Sequence, residues 1–209
     1  LQNPEGMALD THGNLLVVET GTRSLVRVNV TTGAIATVAT GLAVGMFNGW
    51  LTTRIGIPSF LTTLAMMGIA KGVAMWISDT AAVPILSPGY SWIFGGGSVG
   101  PIPVLMFWMA VIAGVGHVAL RRSGFGRKVL ATGGGEMAAR YSGIDTRSIK
   151  FKVLVLSSCA AALAGMLYAG RLQSGRFQLG EGDELSVIAA AVLGGTSLFG
   201  GKGTVIGTI

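Results

Sequence analysis

A phosphate-cradling loop needs a glycine, four spacer residues, then Gly-Lys and a hydroxyl. The chain approaches that pattern once, in TSLFGGKG at residues 196–203. Lys202 follows Gly201 there, but Thr196 stands where the first glycine belongs and Gly203 replaces the hydroxyl that would hold magnesium. No Gly-x-Ser-x-Gly elbow, Cys-x-x-Cys pair or His-Glu-x-x-His helix occurs. Cys159, the single cysteine, has no partner for a disulfide within the chain and reads in LSSCAAALAG as a small buried hydrophobe. His117 lies in an apolar run with no second ligand-type residue one turn away, so it reads as packed and hydrogen-bonded rather than metal-ligating. The expectation is a protein with no catalytic residues, no metal and no cofactor of its own.

Charge is more informative than any catalytic pattern. Residues 121–152 hold eight Lys or Arg and only two acids, Glu136 and Asp145, which accounts for the net charge of +6 carried by the whole chain. A basic run between two apolar segments follows the positive-inside rule of membrane proteins. The same balance spread over a soluble domain would suggest nucleic acid; here it excludes that partner and assigns the loop to the cytoplasm. Its middle, EMAARYSGI, is expected to form a short helix exposing Arg140 and Tyr141, framed by Gly133 to Gly135 and by Gly143. A plain solvated loop needs no small residues around a short helix. A docking surface for a cytoplasmic partner does.

The elements that must position this loop are apolar and long. Half of the 209 residues are hydrophobic and 11% are charged, against roughly 25% charged in soluble domains. The 34 glycines follow no collagen period and suit packed membrane helices. The class expected is an integral membrane protein. Residues 34–51 carry no charge for 18 residues, the minimum for a crossing. Spans are expected at 55–77, 101–120 and 151–170, and residues 78–100 form a polar, Gly/Pro-rich connection. After 185–193, too short to cross, the run GGTSLFGGKG breaks any helix, and a re-entrant element is expected. Gly41, Gly45 and Gly49 repeat every fourth residue, which fits a close-packing helix face better than a strand. Asn48 beside them either bonds across helices or lines a polar path. Ser59, Thr62 and Thr63 fall within one turn, so their hydroxyls either face one cavity or bond back to their own helix. Lys71, alone in its span, is expected to snorkel toward an interface. With 121–152 in the cytoplasm, 34–51 and 101–120 run inward, 55–77 and 151–170 run outward.

The first forty residues are different. GMALD, NLLVVET, SLVRVNV and AIATVAT are short β-rich runs punctuated by THGN, GTRS and TTG, predicting a four-stranded meander. The wording NPEGMALDTHGNLLVVET…VRVNVTTGAIATVATGL resembles an NHL or gluconolactonase-type propeller repeat. That resemblance implies one blade, and a lactone hydrolase would need metal ligands beyond Glu5, Asp10 and Glu19. The chain begins at Leu1 and stops inside the apolar GTVIGTI, so it is expected to be a piece of a longer protein.

Three further stretches carry a second resemblance. FGRKVLATGGGEMAARYSGI, GMFNGWLTTRIGIPSFLTTLAMMGIAKGVAM and ELSVIAAAVLGGTSLFGGKGTVIGT occur in the order found in permease subunits of ribose/xylose/galactose-type sugar ABC importers, and residues 41–209 resemble that family. The resemblance implies a multi-pass permease of the bacterial inner membrane that moves a monosaccharide by alternating access. Its partners would be a cytoplasmic ABC ATPase that binds the ATP, a second permease subunit forming a homodimer, a periplasmic sugar-binding protein and the lipid bilayer. Gly134, Glu136, Ala139, Arg140, Gly143 and Ile144 would couple to the ATPase. Asn48, Ser59, Thr62 and Thr63 would line the translocation path, and Gly41, Gly45 and Gly49 would pack helices. The family usually has Asn where Gly135 stands and Arg where Lys71 stands. The expected fold is therefore an all-α polytopic membrane protein with a re-entrant element, organised as a propeller-like blade over 1–40 and a partial permease over 41–209. A membrane-tethered propeller lactonase fragment and a non-functional chimera are the competing readings.

Overall fold

The computed structural model describes residues 4–9, 15–19, 24–28, 30–85 and 88–209, with the backbone alone before Ala34. Three strands open it: β1 (Pro4–Leu9), β2 (Leu15–Glu19) and β3 (Ser24–Val28). They pair antiparallel in sequence order, with Leu9 opposite Leu15 and Leu15 opposite Val28. The turns expected at 11–14 and 21–23, and the side chains of Glu5, Asp10 and Glu19, lie outside the described residues. The expected fourth strand, AIATVAT at 34–40, is not a strand. It belongs to α1 (Val30–Trp50), which runs unbroken through the border expected between 40 and 41. Thr and Val suit a pleated sheet, but in a charge-free run of membrane length the helix satisfies every backbone N–H and C=O internally, and that requirement outweighs side-chain preference.

From α1 the chain passes through one π-helical turn, Leu51–Ile55, and is broken at Gly56, whose φ of +85° a side chain would disfavour. The extended Pro58 then starts α2 (Ser59–Ser78). The connection to the next span holds β4 (Val83–Pro84), α3 (Pro88–Ser91), a π-helical turn (Trp92–Gly96) and a hairpin of β5 (Ser98–Val99) with β6 (Ile102–Pro103). It tucks under the far end of a later helix. Trp108 Nε1 donates to the Ile93 carbonyl at 2.9 Å, the Trp108 and Phe94 rings stack at 6.0 Å, and Tyr90 donates to the Met166 carbonyl at 3.2 Å.

The remaining elements are α4 (Val104–Arg121), α5 (Gly124–Gly134), α6 (Glu136–Tyr141), α7 (Thr146–Leu172), β7 (Ser174–Gly175), which pairs with β4, and α8 (Asp183–Leu193). A 3₁₀ turn, Ile206–Thr208, closes the chain. Four helical stretches among the described residues are long and apolar enough to cross a membrane: Ala34–Ile55, Ser59–Ser78, Val104–Arg121 and Thr146–Leu172. Their apolar side chains point outward, Trp76 at 85% exposed and Phe107 at 65%, as a hydrocarbon solvent permits. The 11 residues of α8 reach only about 16 Å, half a bilayer core of about 30 Å.

Antiparallel packing of α1 on α7 forms the central contact. A Cβ on Gly41 would stand 2.7 Å from Ala162 Cβ, one on Gly45 2.9 Å from Val155 Cα, and one on Gly49 2.7 Å from Phe151 Cδ2. Without side chains at these three positions the helices approach closely enough to exchange dispersion contacts along a whole face. The result sorts the ends of the spans. The end of α1, the starts of α2 and α7 and the α4–α5–α6 corner share one face, which carries the basic loop. The end of α2, the start of α4 and the end of α7 share the opposite face.

Candidate functional site

On the basic face, α6 is a single stiffened turn and a half between two longer helices. Its start has no side-chain cap: Gly135, in the extended region at φ −177°, occupies the N-cap position and offers no oxygen to the first N–H groups. Its end is well made. Ile144 N donates to the Ala139 carbonyl at 3.0 Å and Gly143 N to the Arg140 carbonyl at 3.0 Å, a Schellman arrangement with Gly143 at φ +81°. Ala139, 4% exposed, is the buried apolar partner that such an end requires.

The helix is tied to α7 by charge. Lys150 Nζ donates to Glu136 Oε2 at 2.6 Å, and Thr146, itself buried, donates to Glu136 Oε1 at 3.3 Å. Asp145 caps α7 by accepting from Ser148 N at 3.2 Å. The hydrogen bond from Lys150 is the main reason the Glu136 carboxyl titrates below its ordinary range. A lowered carboxylate pKa means the tie is fully present above the ordinary value near about 4.3 and is lost as pH falls through the folded value. At neutral pH the tie is intact.

The six residues expected to couple to a partner therefore divide by what they touch. Ala139, Gly143 and Ile144 build the end of α6, Glu136 fastens it to α7, and Gly134 lies at its root. Arg140 is left on the exposed face. Beside it stand Met137 (62% exposed) and Tyr141 (84% exposed), spaced three and four residues apart on one side of the helix. Met137 lay outside the expected set; its signal was the i, i+3, i+4 spacing to Arg140 and Tyr141.

Among the described residues, the four expected path residues do not border one common cleft. Thr62 is buried, with its hydroxyl on the Pro58 carbonyl at 3.0 Å and against Thr52 Oγ1 at 3.2 Å. Thr63 bonds back to Ser59 and Phe60 carbonyls at 3.0 and 3.1 Å. Ser59 is exposed and lines an open cleft of about 690 Å³ at the basic face, together with Thr132, Glu136, Arg140 and Lys150. Asn48 is buried at 4% exposure, and its Oδ1 has no hydrogen-bond partner. Lys71, expected to reach an interface, pairs with Glu181 at the opposite face. Among the described residues, no three His, Cys, Asp or Glu side chains gather where a metal could bind.

Membrane-length helices, a glycine-packed central pair and a short charge-tied helix on the basic face define a polytopic α-helical membrane protein of the permease type. The match to the family described as "Branched-chain amino acid transport system / permease component" covers residues 8–209, and the chain belongs to that family. It is similar to the inner membrane ABC transporter permease protein YjfF of Escherichia coli K12, at 39% identity over 81% of this chain and 52% of that protein. Similar too are the ribose import permease protein RbsC of Escherichia coli K12, at 35% over 88% of this chain and 58% of that protein, and the L-arabinose ABC transporter permease protein AraH of Azospirillum brasilense, at 37% over 87% and 53%. The chain spans about half the length of the curated relatives it matches. No solved structure gives a significant match.

Proposed function

We propose that this chain is part of the transmembrane permease of an ABC importer, carrying a monosaccharide across the bacterial inner membrane by alternating access. A separate cytoplasmic ATPase binds and hydrolyses the ATP, so the permease needs no cofactor. A second permease copy completes the pathway, and a periplasmic binding protein delivers the sugar. The relatives named for ribose and L-arabinose support the sugar class. The observation that carries the reading is α6: a helix too short to be stable alone, capped at its end, fastened to α7 through Glu136 and presenting Met137, Arg140 and Tyr141 outward. Such a helix transmits force from whatever grips it into α7. Nothing favours the propeller lactonase: the three strands over 4–28 are linked to a propeller by wording alone, and the family match begins at residue 8.

The test uses the complete permease co-expressed with its ATPase. Arg140→Glu reverses the charge on the exposed face; it leaves Glu136 and Lys150 in place but sets a like charge one turn from Glu136, so Arg140→Gln, which only removes the charge, is measured beside it. Membrane insertion is expected to remain and co-purification of the ATPase to fall by about tenfold or more, the scale of one lost interfacial charge pair. Co-purification at the wild-type level would count against the reading.

A further inference from the structure

Beyond α8 the chain makes a closed loop whose tip rests, backbone on backbone, against the root of α6. A Cβ on Gly133 would stand 2.7 Å from Gly201 N, one on Gly200 2.4 Å from the Gly133 carbonyl oxygen, and one on Gly201 2.7 Å from Gly134 Cα. No side chain fits on Gly133, Gly200 or Gly201 without moving backbone. Gly200 and Gly201 also hold φ of +89° and +79°, which glycine alone adopts without strain. The loop is internally tied: Thr204 Oγ1 donates to the Gly194 carbonyl at 2.8 Å and Ser197 N to the Lys202 carbonyl at 3.0 Å. Its two ends touch as well, since a Cβ on Gly194 would lie 2.4 Å from Gly207 C.

The other end of this segment is anchored at the opposite face. Tyr168 donates to Asp183 Oδ2 at 2.6 Å, and Lys71 pairs with Glu181 two residues earlier. Residues 181–207 thus touch the α5–α6 corner at one end and the ends of α2 and α7 at the other. A loop seated without intervening side chains has no rotamer to absorb a displacement of its seat, and packed backbone passes such a shift on.

We propose that Gly133 and Gly200 are positioning residues that pass a displacement of α6 into α8, and through it to the opposite face; this rests on reading α6 as the element a cytoplasmic ATPase grips. The seat therefore sets the ratio of sugar moved to ATP hydrolysed.

The experiment reconstitutes the complete permease with its ATPase and binding protein in liposomes. In Gly133→Ala and Gly200→Ala, ATPase binding and ATP hydrolysis should persist while sugar moved per ATP falls by about tenfold. Gly68→Ala and Gly114→Ala, whose Cβ atoms would meet nothing within 4 Å, should keep the wild-type ratio. Thr204→Val unties the loop without adding bulk, so it remains foldable where the alanine variants fail, and it should lower the ratio in the same direction. A second arm needs no ATPase: hydrogen exchange at the Ser197 and Gly200 amides, both bonded within the loop, should quicken in Gly133→Ala permease alone. A wild-type ratio in folded Gly133→Ala, Gly200→Ala and Thr204→Val overturns the relay, and unchanged exchange in Gly133→Ala overturns the seat itself. If the wild-type permease binds no ATPase, the importer reading fails and the relay with it, while the exchange arm still reports whether the loop is seated.

Discussion

Gly45 makes the α1–α7 contact testable at a single atom. Its added Cβ would meet Val155 Cα and Ser158 Cβ, both at 2.9 Å, whereas a Cβ on Gly68 meets nothing within 4 Å. Gly45→Ala should cost about 1–3 kcal/mol as overpacking, and Gly68→Ala should be neutral or gain up to about 1 kcal/mol of helix propensity. Thermal unfolding of the detergent-solubilised protein separates the two; equal shifts would show that the glycine ridge is not a packing face. At Gly135 the prediction runs the other way. The position is an N-cap with no side-chain acceptor, and Asn there should stabilise α6 by a few tenths of a kcal/mol, about the usual gap between Gly and Asn caps. Slower amide exchange at Met137 and Ala138 in Gly135→Asn is the measurement. These glycines were legible in sequence because close approach demands missing side chains at a helical period. The surroundings of Asn48 were not, because the neighbour of a helix residue depends on how α1 and α2 cross. The same holds for Thr62 and Thr63, whose hydroxyls choose between a cavity and their own carbonyls only once the neighbours are fixed.

Among the elements, α2 illustrates a link that no local pattern reveals. Lys71 and Glu181 are 110 residues apart, and their ion pair fastens the second half of α2 to the segment entering α8. Both side chains are well exposed, at 40% and 57%, so solvent screens the attraction and the pair should contribute no more than about 1 kcal/mol. Lys71→Glu should lower stability, and the exchange Lys71→Glu with Glu181→Lys should restore most of the loss. A double-mutant cycle that shows no coupling would reduce the pair to a surface coincidence. Span positions were readable from charge-free length, and α6 from its flanking glycines, because both depend on local chemistry. The expected fourth strand fails for the same reason. Residues 34–40 are β-rich in composition, and only the continuous apolar run downstream makes a helix the cheaper way to satisfy their backbone.

For the whole molecule, the assignment of faces governs everything argued about partners. The contacts fix which ends lie together but not which side of the membrane they meet; the excess of Lys and Arg over 121–152 supplies that direction. In the complete permease with every native cysteine, Cys159 included, replaced by serine, one cysteine at a time is placed at exposed positions on each face. Ser142→Cys lies just past α6, while Thr80→Cys follows α2 and Gln178→Cys lies between α7 and α8. An impermeant maleimide on intact spheroplasts should label the Thr80→Cys and Gln178→Cys variants strongly and the Ser142→Cys variant only after permeabilisation, with a contrast of about tenfold or more expected from a sealed bilayer that excludes charged groups. Labelling of all three from outside would break the four-span arrangement. The inverse pattern would leave the packing intact but place α6 in the periplasm, beyond the reach of any ATPase.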